Sequence, residues 1–203
     1  GIYLASGNMT MILCRVTGNA TANGGAGGAG STYAGGVFVG GSATAFISHS
    51  VIGRNTVQGY GKFAGGGGIY NGGALTLVNS IVDHNASSDD SGDGIVSTNI
   101  LRIRNCTVAD NSPGVGILFA GGAVSLTNSI IWGHTDDLKL FPNDGQIPVT
   151  LSNVSYSCIG NGDNNGRQGC VSIDPQFVDT NYYHLRSIQG YYSGGYFSGG
   201  SWT

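Results

Sequence analysis

Four side chains of this 203-residue chain have the types that acid–base chemistry on a sugar acid needs: Arg54, Asp83, His84 and Asp110. Arg54, His84 and Asp110 each stand immediately before an asparagine, and Asp83 stands before His84. In this arrangement a histidine or an aspartate would act as general base, and the arginine would stabilise developing negative charge. The alternative, which we favour, is that these residues are solvated corners of a repeat.

Two loops carry side-chain oxygens at spacings that suit calcium. The candidate ligands are Asp89, Asp90 and Asp93 in the first loop and Asn161, Asp163 and Asn165 in the second. The second loop matches the opening of a calcium loop, but Ser172 stands where a bidentate glutamate is expected. We therefore predict ordinary polar turns, with calcium as the alternative and no other cofactor.

The elements that must position these side chains are copies of one repeat. When its last residue is used as the reference column, two apolar columns precede it by three and by eight residues. The reference column is Asn19, Asn55, Asn85, Asn111 and His134, the next is Val16, Ile52, Val82, Val108 and Ile131, and the third is Met11, Ile47, Leu77, Ile103 and Leu126. A glycine opens each copy, at Gly1, Gly36, Gly68, Gly94 and Gly116. Columns that stay aligned while the loops shrink indicate a solenoid.

The coils of this solenoid are predicted to be strands. Beta-branched residues and short alternating runs dominate, and most of the 38 glycines lie between the runs, where they favour turns. Equivalent strands stacked at roughly 4.8 Å give parallel pairing. We predict an all-β fold, a parallel β-helix of five clear coils and a sixth partial one over residues 1–160. Residues 161–203 are predicted to be an irregular loop and an aromatic, Gly/Ser-rich tail within the same domain.

Three motifs carry a family resemblance. They are GGGIYN at 66–71, the run LTLVNSIV at 75–82 with a copy at 124–131, and IDPQFVD at 173–179 followed by YHL at 183–185. The chain resembles the right-handed parallel β-helix proteins of the pectate-lyase-like group, and more closely their bacterial extracellular members. That resemblance implies a single-stranded, right-handed β-helix. It does not imply one activity, because the group includes lyases, hydrolases, epimerases, adhesins and passive surface proteins.

One polar column of the repeat favours a structural role. Its members stand six residues before the reference column or at the corresponding place in the last coil: Asn79, Asn105, Asn128 and Asn153. Stacked side-chain amides hydrogen-bond to one another along the coil axis. We therefore predict that this column is an asparagine ladder.

The four cysteines divide into two pairs. Cys14 and Cys106 share a column of small inward side chains, but they are three coils apart, or roughly 14 Å. We predict that both are free, buried thiols, because a disulfide needs Cα atoms within about 7 Å. Cys158 and Cys170 bracket the loop where regular pairing stops, and a disulfide is predicted between them, which fits an oxidising setting.

Composition narrows the functional classes. Only 9% of the residues are charged and the formal net charge is −3, which argues against nucleic acid and against an anionic membrane surface as partners. No apolar run has the length of a membrane span. Because the chain opens in mid-coil without a cap, we expect a piece of a longer protein. The predicted disulfide and the family resemblance favour a location outside the cell or at its surface.

The predicted function is a non-catalytic structural or surface module that self-associates end to end into a fibre, with copies of itself or adjacent domains as partners. One alternative is a polysaccharide-binding adhesin, which would require Tyr3, Phe38 and Tyr70 to form an exposed face and not core. The other is a carbohydrate-active lyase or hydrolase. The aromatic tail at 186–203 would cover the end of the coils, contact a neighbouring chain or stack on sugars. As a corner residue, His84 is expected to tolerate alanine without cost to folding.

Overall fold

The structure of the chain, a computed structural model, describes residues 1–22, 33–58, 65–88, 92–112, 114–141, 151 and 153–185, and the backbone alone of 191–193 and 196–198. Every regular element in this part of the chain is a β-strand. In chain order the strands are β1 (Ile2–Ile12), β2 (Arg15–Thr17), β3 (Ala20–Ala22), β4 (Val37–Ser48), β5 (Val51–Gly53), β6 (Thr56–Gln58), β7 (Ile69–Asn71), β8 (Ala74–Val78), β9 (Ile81–Asp83), β10 (Ala86–Ser87), β11 (Ile95–Ser97), β12 (Ile100–Arg104), β13 (Thr107–Ala109), β14 (Val115–Phe119), β15 (Val124–Thr127), β16 (Ile130–Trp132), β17 (Asp136–Leu140), β18 (Val154–Ser155), β19 (Cys158–Ile159), β20 (Tyr191–Ser193) and β21 (Tyr196–Ser198). The chain divides into two compact units, Gly1–Ser172 and Ile173–Thr203.

Equivalent strands of successive coils pair in parallel, so β1 to β19 form a parallel β-helix of six coils. A ten-stranded sheet covers two faces, because β4 pairs with both β7 and β8. A six-stranded sheet, ordered β19-β16-β13-β9-β5-β2, and a three-stranded sheet, ordered β10-β6-β3, complete the wall. The prediction of an all-β parallel solenoid is confirmed, and the sixth coil contributes β17 and β18 to the ten-stranded sheet and β19 to the six-stranded sheet.

The register is the one that the sequence columns predict. Val16 pairs with Ile52 and Ile52 with Val82, while Met11 pairs with Ile47 and Ile47 with Leu77. Ile52, Val82, Ile47 and Leu77 are all 0% exposed. Because strand side chains alternate between faces, one apolar residue in two suffices to fill the narrow core.

An asparagine ladder runs through the interior, but it is the reference column and not the column predicted for it. The Nδ2 group of Asn19 donates to Oδ1 of Asn55 at 2.8 Å, Asn55 donates to Asn85 at 2.9 Å, and Asn85 donates to Asn111 at 2.9 Å. Each Oδ1 also accepts the backbone N–H of the preceding asparagine, and the Nδ2 group of Asn85 also donates to the carbonyl of Ile52. Asn85 therefore uses both donors and both lone pairs while it is 0% exposed.

The ladder ends on a buried histidine. The Nδ2 group of Asn111 lies 3.1 Å from Nε2 of His134, and Nδ1 of His134 lies 2.7 Å from Oδ1 of Asp137. Because Oδ1 of Asn111 already accepts two N–H groups of Asn85, its Nδ2 must be the donor. His134 therefore accepts at Nε2 and donates from Nδ1 to the carboxylate of Asp137, so it links the amide ladder to this carboxylate.

The column predicted to be the ladder lies outside, at the corners between β8, β12 or β15 and the next strand. Asn79, Asn105 and Asn128 are exposed and have φ values of 48°, 54° and 51°. Asn105 does donate to Oδ1 of Asn79 at 3.1 Å, but this bond lies in solvent. Asn153 does not belong to the column, because Tyr156 occupies the corner of the sixth coil with φ 48°. Asparagine is favoured here because it tolerates the left-handed conformation.

The column of small inward residues forms a second ladder. The N–H of Cys14 donates to Oγ of Ser50, and that of Ser50 donates to Oγ of Ser80, at 3.1 Å in both cases. The N–H of Cys106 donates in the same way to Oγ of Ser129. All four cysteines are present as thiols; Cys106 is buried, whereas Cys14 is only half-buried.

The structure does not contain the disulfide predicted between Cys158 and Cys170. Cys158 pairs with Val171, not with Cys170, and its neighbour Ile159 is the residue that enters the core. Cys170 is buried, with its Sγ 3.7 Å from the carbonyl of Val154. The pairing is offset by one residue, so the two thiols face opposite sides of the wall.

The second unit contains the closing motif as a small turn. The carboxylate of Asp179 accepts the N–H groups of Asn181 and Tyr182 and contacts Nδ1 of His184 at 2.7 Å. Burial raises the pKa of Asp179, but these hydrogen bonds outweigh it, so the pKa lies below its ordinary value. The ring of Phe177 packs edge-on against Tyr183, with centroids 5.0 Å apart. Farther along, β20 and β21 form an antiparallel hairpin.

Two asparagines of the same coil test which ladder stabilises the fold. We expect Asn85→Ala to lower the free energy of unfolding by more than about 3 kcal/mol, because several buried donors and acceptors lose their partner at once. The control Asn79→Gly replaces an exposed residue at a left-handed corner and should change it by less than about 0.5 kcal/mol. Urea unfolding measures both free energies. Equal decreases in the two variants would contradict the conclusion that the buried asparagine column stabilises the fold.

Cysteine reactivity tests the thiol assignment. Burial raises the pKa of Cys106 to about 11, against the opposing effect of backbone hydrogen bonds at Ser80 and Arg104. Native protein treated with iodoacetamide at pH 8 should therefore leave Cys106 unmodified while Cys14 reacts. In denaturant without reductant, mass spectrometry should show four adducts. Only two would mean that a disulfide had formed.

Candidate functional site

Three of the four predicted acid–base residues share one column of corners. Arg54, His84 and Asp110 lie on the second, third and fourth coils, with φ values of 57°, 51° and 52°. Gly18 and Gly133 hold the same place in other coils, with φ values of 70° and 83°. Left-handed conformations favour glycine, asparagine, aspartate and histidine. His84 and Asp110 therefore have a backbone cause that is independent of any chemistry, whereas Arg54 is not of a type that this conformation favours.

Asp83 is the buried member of the group. Its side chain is 6% exposed at the end of β9, and Oδ2 lies 2.9 Å from Nδ1 of His84, whose side chain is 35% exposed. Its Oδ1 has no hydrogen-bond partner and lies where a side chain at Gly53 would stand. Ala109 holds the equivalent place on the next coil. Small residues on both sides thus make room for a carboxylate that orients an imidazole.

The structure brings the four predicted residues to one corner. Arg54 lies one coil before His84 and Asp110 one coil after it, at roughly 4.8 Å per coil. A histidine that a carboxylate holds in place has the arrangement of a general base. An arginine near it would stabilise the negative charge of a sugar acid. Within the described ranges no three His, Cys, Asp or Glu side chains cluster as metal ligands. A catalytic role for this corner stays a prediction.

Asp93, one of the predicted calcium ligands, has a structural role. It is 0% exposed. Its Oδ1 accepts the N–H and the hydroxyl of Ser87, and its Oδ2 accepts the N–H groups of Gly114 and Val115, at 2.6 to 3.0 Å. The carboxylate thus joins two coils through four hydrogen bonds. Its loop partners Asp89 and Asp90 lie outside the described residues.

In the second predicted calcium loop, side-chain oxygens accept hydrogen bonds from the backbone. Oδ1 of Asn161 accepts the N–H of Asp163 at 3.2 Å. Oδ2 of Asp163, which is 0% exposed, accepts the N–H of Leu138 at 3.2 Å. Asn165 is exposed to solvent. The side chains of Asn161 and Asp163 therefore each accept a backbone N–H, and that of Asn165 faces solvent.

An aromatic row lies on the outer side of the first strands. Tyr3 stacks on Phe38 with centroids 4.7 Å apart, and Phe38 stacks on Tyr70 at 5.5 Å, with the ring planes within 10°. Tyr33 packs against Tyr70 at 4.4 Å. Burial, aided by Tyr33, raises the pKa of Tyr70, against the opposing hydrogen bond of Thr98. Of the two alternatives for these rings, the outer face is therefore correct and the core is not. Their faces cover one another, and only Tyr3, 74% exposed, is freely accessible.

The pair Asp83 and His84 makes a testable contrast. We expect His84→Ala to lower the free energy of unfolding by roughly 1–3 kcal/mol, because it leaves a buried carboxylate unpaired. This revises the expectation that the change is silent. Asp83→Ala should be close to neutral, and the double variant should match it, because alanine already holds this place in the next coil. Urea unfolding of the three variants measures these differences. An unchanged free energy of unfolding in His84→Ala would contradict the prediction and would mean that water replaces the imidazole.

No helix among the described residues is long and apolar enough to cross a membrane.

In a comparison with protein families, the model described as "Right handed beta helix region" matches residues 1–165. No curated protein and no solved structure matches the chain. The matched segment contains all six coils, whose parallel pairing is the architecture that the family description states. The chain belongs to the right-handed β-helix family.

Proposed function

We propose that this chain is a non-catalytic structural module of an extracellular or cell-surface protein, and that its first coil stacks along the solenoid axis against another copy of the chain. The low charge, 9% of residues, supports a role that depends on packing more than on steering charged partners. The proposal is based on the apolar core residues of the first coil, which are only partly buried.

Inward-facing residues that are sealed in the second coil are partly exposed in the first. The partly exposed members are Ile2, Leu4 and Met9, and the residues that pair with them are Val37, Val39 and Ala45, which are 0%, 0% and 1% exposed. A further coil laid on the first would bury this apolar surface. Burial of apolar surface is the main favourable term in protein association.

The backbone at this face is also open. In the described part of the chain, strands β1, β2 and β3 are edge strands, and each pairs with the equivalent strand of the second coil alone. At the opposite end, β17 and β18 are edge strands within the described residues, whereas β19 also pairs with Val171 through Cys158. Edge strands present rows of backbone donors and acceptors that pair readily with another chain. Head-to-tail stacking would continue the same parallel pairing and would give linear assemblies.

The state of association tests this proposal. We expect light scattering of the purified chain to show mass rising with concentration, and electron microscopy to show rods one coil-diameter wide. Met9→Lys places a charge on the open core face and should reduce the mass to that of a monomer. Ile12→Lys on the same strand is the control, because Ile12 is already 54% exposed and faces outward. A wild-type monomer at all concentrations would refute the proposal, and circular dichroism would show that both variants fold.

A further inference from the structure

One row of side chains on the outer side of the ten-stranded sheet runs through all six coils. Each member pairs in parallel with the equivalent residue of the next coil, and each follows a residue that packs in the core, so it faces outward. From the first coil to the sixth, the members are Tyr3, Phe38, Tyr70, Val96, Leu118 and Lys139. The row therefore begins with an aromatic ring and ends with a cation.

The ring of Tyr3 has one open face. It stacks on Phe38 with centroids 4.7 Å apart and an angle of 10° between the planes. Among the described residues no ring lies on its other face, and Tyr3 is 74% exposed. A depression of about 620 Å³ adjoins the ring, between Ile2, Thr21 and Tyr33. The face of an aromatic ring is the negative part of its quadrupole, so an open face attracts cations.

Lys139 ends the row without an ion pair. It is half-buried on β17, an edge strand at the other end of the solenoid. The ion pairs in the described part of the chain all join a histidine to an aspartate, so none of them involves Lys139. Burial raises the pKa of Asp136, and the charge of Lys139 only partly opposes this effect. The ammonium group thus acts on Asp136 from beyond ion-pair distance, which leaves it able to contact a second molecule.

The spacing at a joint between two copies suits this pair of side chains. The level beyond β17 is partly filled by the chain itself, because Asp163 accepts the N–H of Leu138. Val171 also occupies this level, where it pairs with Cys158. The first coil of a neighbouring copy would therefore lie one or two strand spacings beyond β17, or roughly 5–10 Å. The four-carbon stem of a lysine carries its ammonium group roughly 6 Å from Cα, so it reaches the ring in either case.

We propose that Lys139 of one copy binds the open ring face of Tyr3 in the next copy through a cation–π contact. This contact depends on the axial stacking proposed above, and it sets the polarity and the alignment of the stack. The two ends of the row are complementary, whereas two like ends would oppose cation to cation at a joint. Rotation of one copy about the axis would move its ring to another face of the coil and separate the pair. The contact therefore selects one head-to-tail arrangement.

A double-mutant cycle across the joint tests the contact. Light scattering gives the concentration at which half of the chains are associated. We expect Tyr3→Leu and Lys139→Met each to raise this concentration about fivefold, because each keeps an apolar side chain but removes the ring or the charge. The double variant should match either single variant within about twofold, because both changes remove the same contact. Tyr3→Phe and Lys139→Arg keep a ring and a cation and should associate like the wild type.

Two matched variants control for the loss of a ring or a charge elsewhere. Phe46→Leu and Arg104→Met change exposed side chains outside this row and should leave association within about twofold of the wild type. Circular dichroism should show native β-structure in every variant. If the wild type associates while Tyr3→Leu and Lys139→Met match these controls, or if their effects multiply in the double variant, the contact is wrong and axial stacking still stands. A wild type that stays monomeric would refute both.

Discussion

The stacked side-chain amides of the interior are the interaction on which the rest of the structure depends. Asn55, Asn85 and Asn111 are buried, and Asn85 satisfies all of its hydrogen-bonding groups with the coils on either side. A buried amide that is fully paired stabilises one register only, because a shift by one residue would leave several polar groups without partners. The ladder thus sets both the spacing and the alignment of the coils.

The same ladder, together with the backbone of the next coil, explains the opening glycines of the second and third coils. A Cβ at Gly36 would stand 2.5 Å from the carbonyl of Gly68 and 2.8 Å from Nδ2 of Asn55, and one at Gly68 would stand 2.8 Å from Nδ2 of Asn85. At Gly116 the obstacle is the ring of His134, at 2.6 Å. The glycine and the asparagine are therefore two sides of one contact, which leaves no space for a side chain at the start of the strand.

Because the interior side chains pack in the core and in the ladders, the side chains that can contact a ligand are those on the outer face of the strands and at the corners. The corner column contains His84 and Asp110 because a left-handed residue is needed there, which weakens the argument for catalysis from these two residue types. The outer row at Arg102 and Arg104 has no such cause, since ordinary strand positions accept any side chain.

The sequence by itself determined the coil order, the strand register and the core, because the spacing of Val82, Leu77 and their equivalents directly records which residues face inward. It did not distinguish the buried asparagine column from the exposed one, although a cue existed. The buried column keeps an amide or imidazole in each of the first five coils, whereas the exposed column accepts Leu13, His49 and Tyr156. The partners of side chains were decided by tertiary structure. Pairing with Val171 separates Cys158 from Cys170, and burial joins the carboxylate of Asp93 to the backbone of Gly114 and Val115. Such contacts join residues 20 or more apart, or depend on a one-residue offset, and local spacing contains neither.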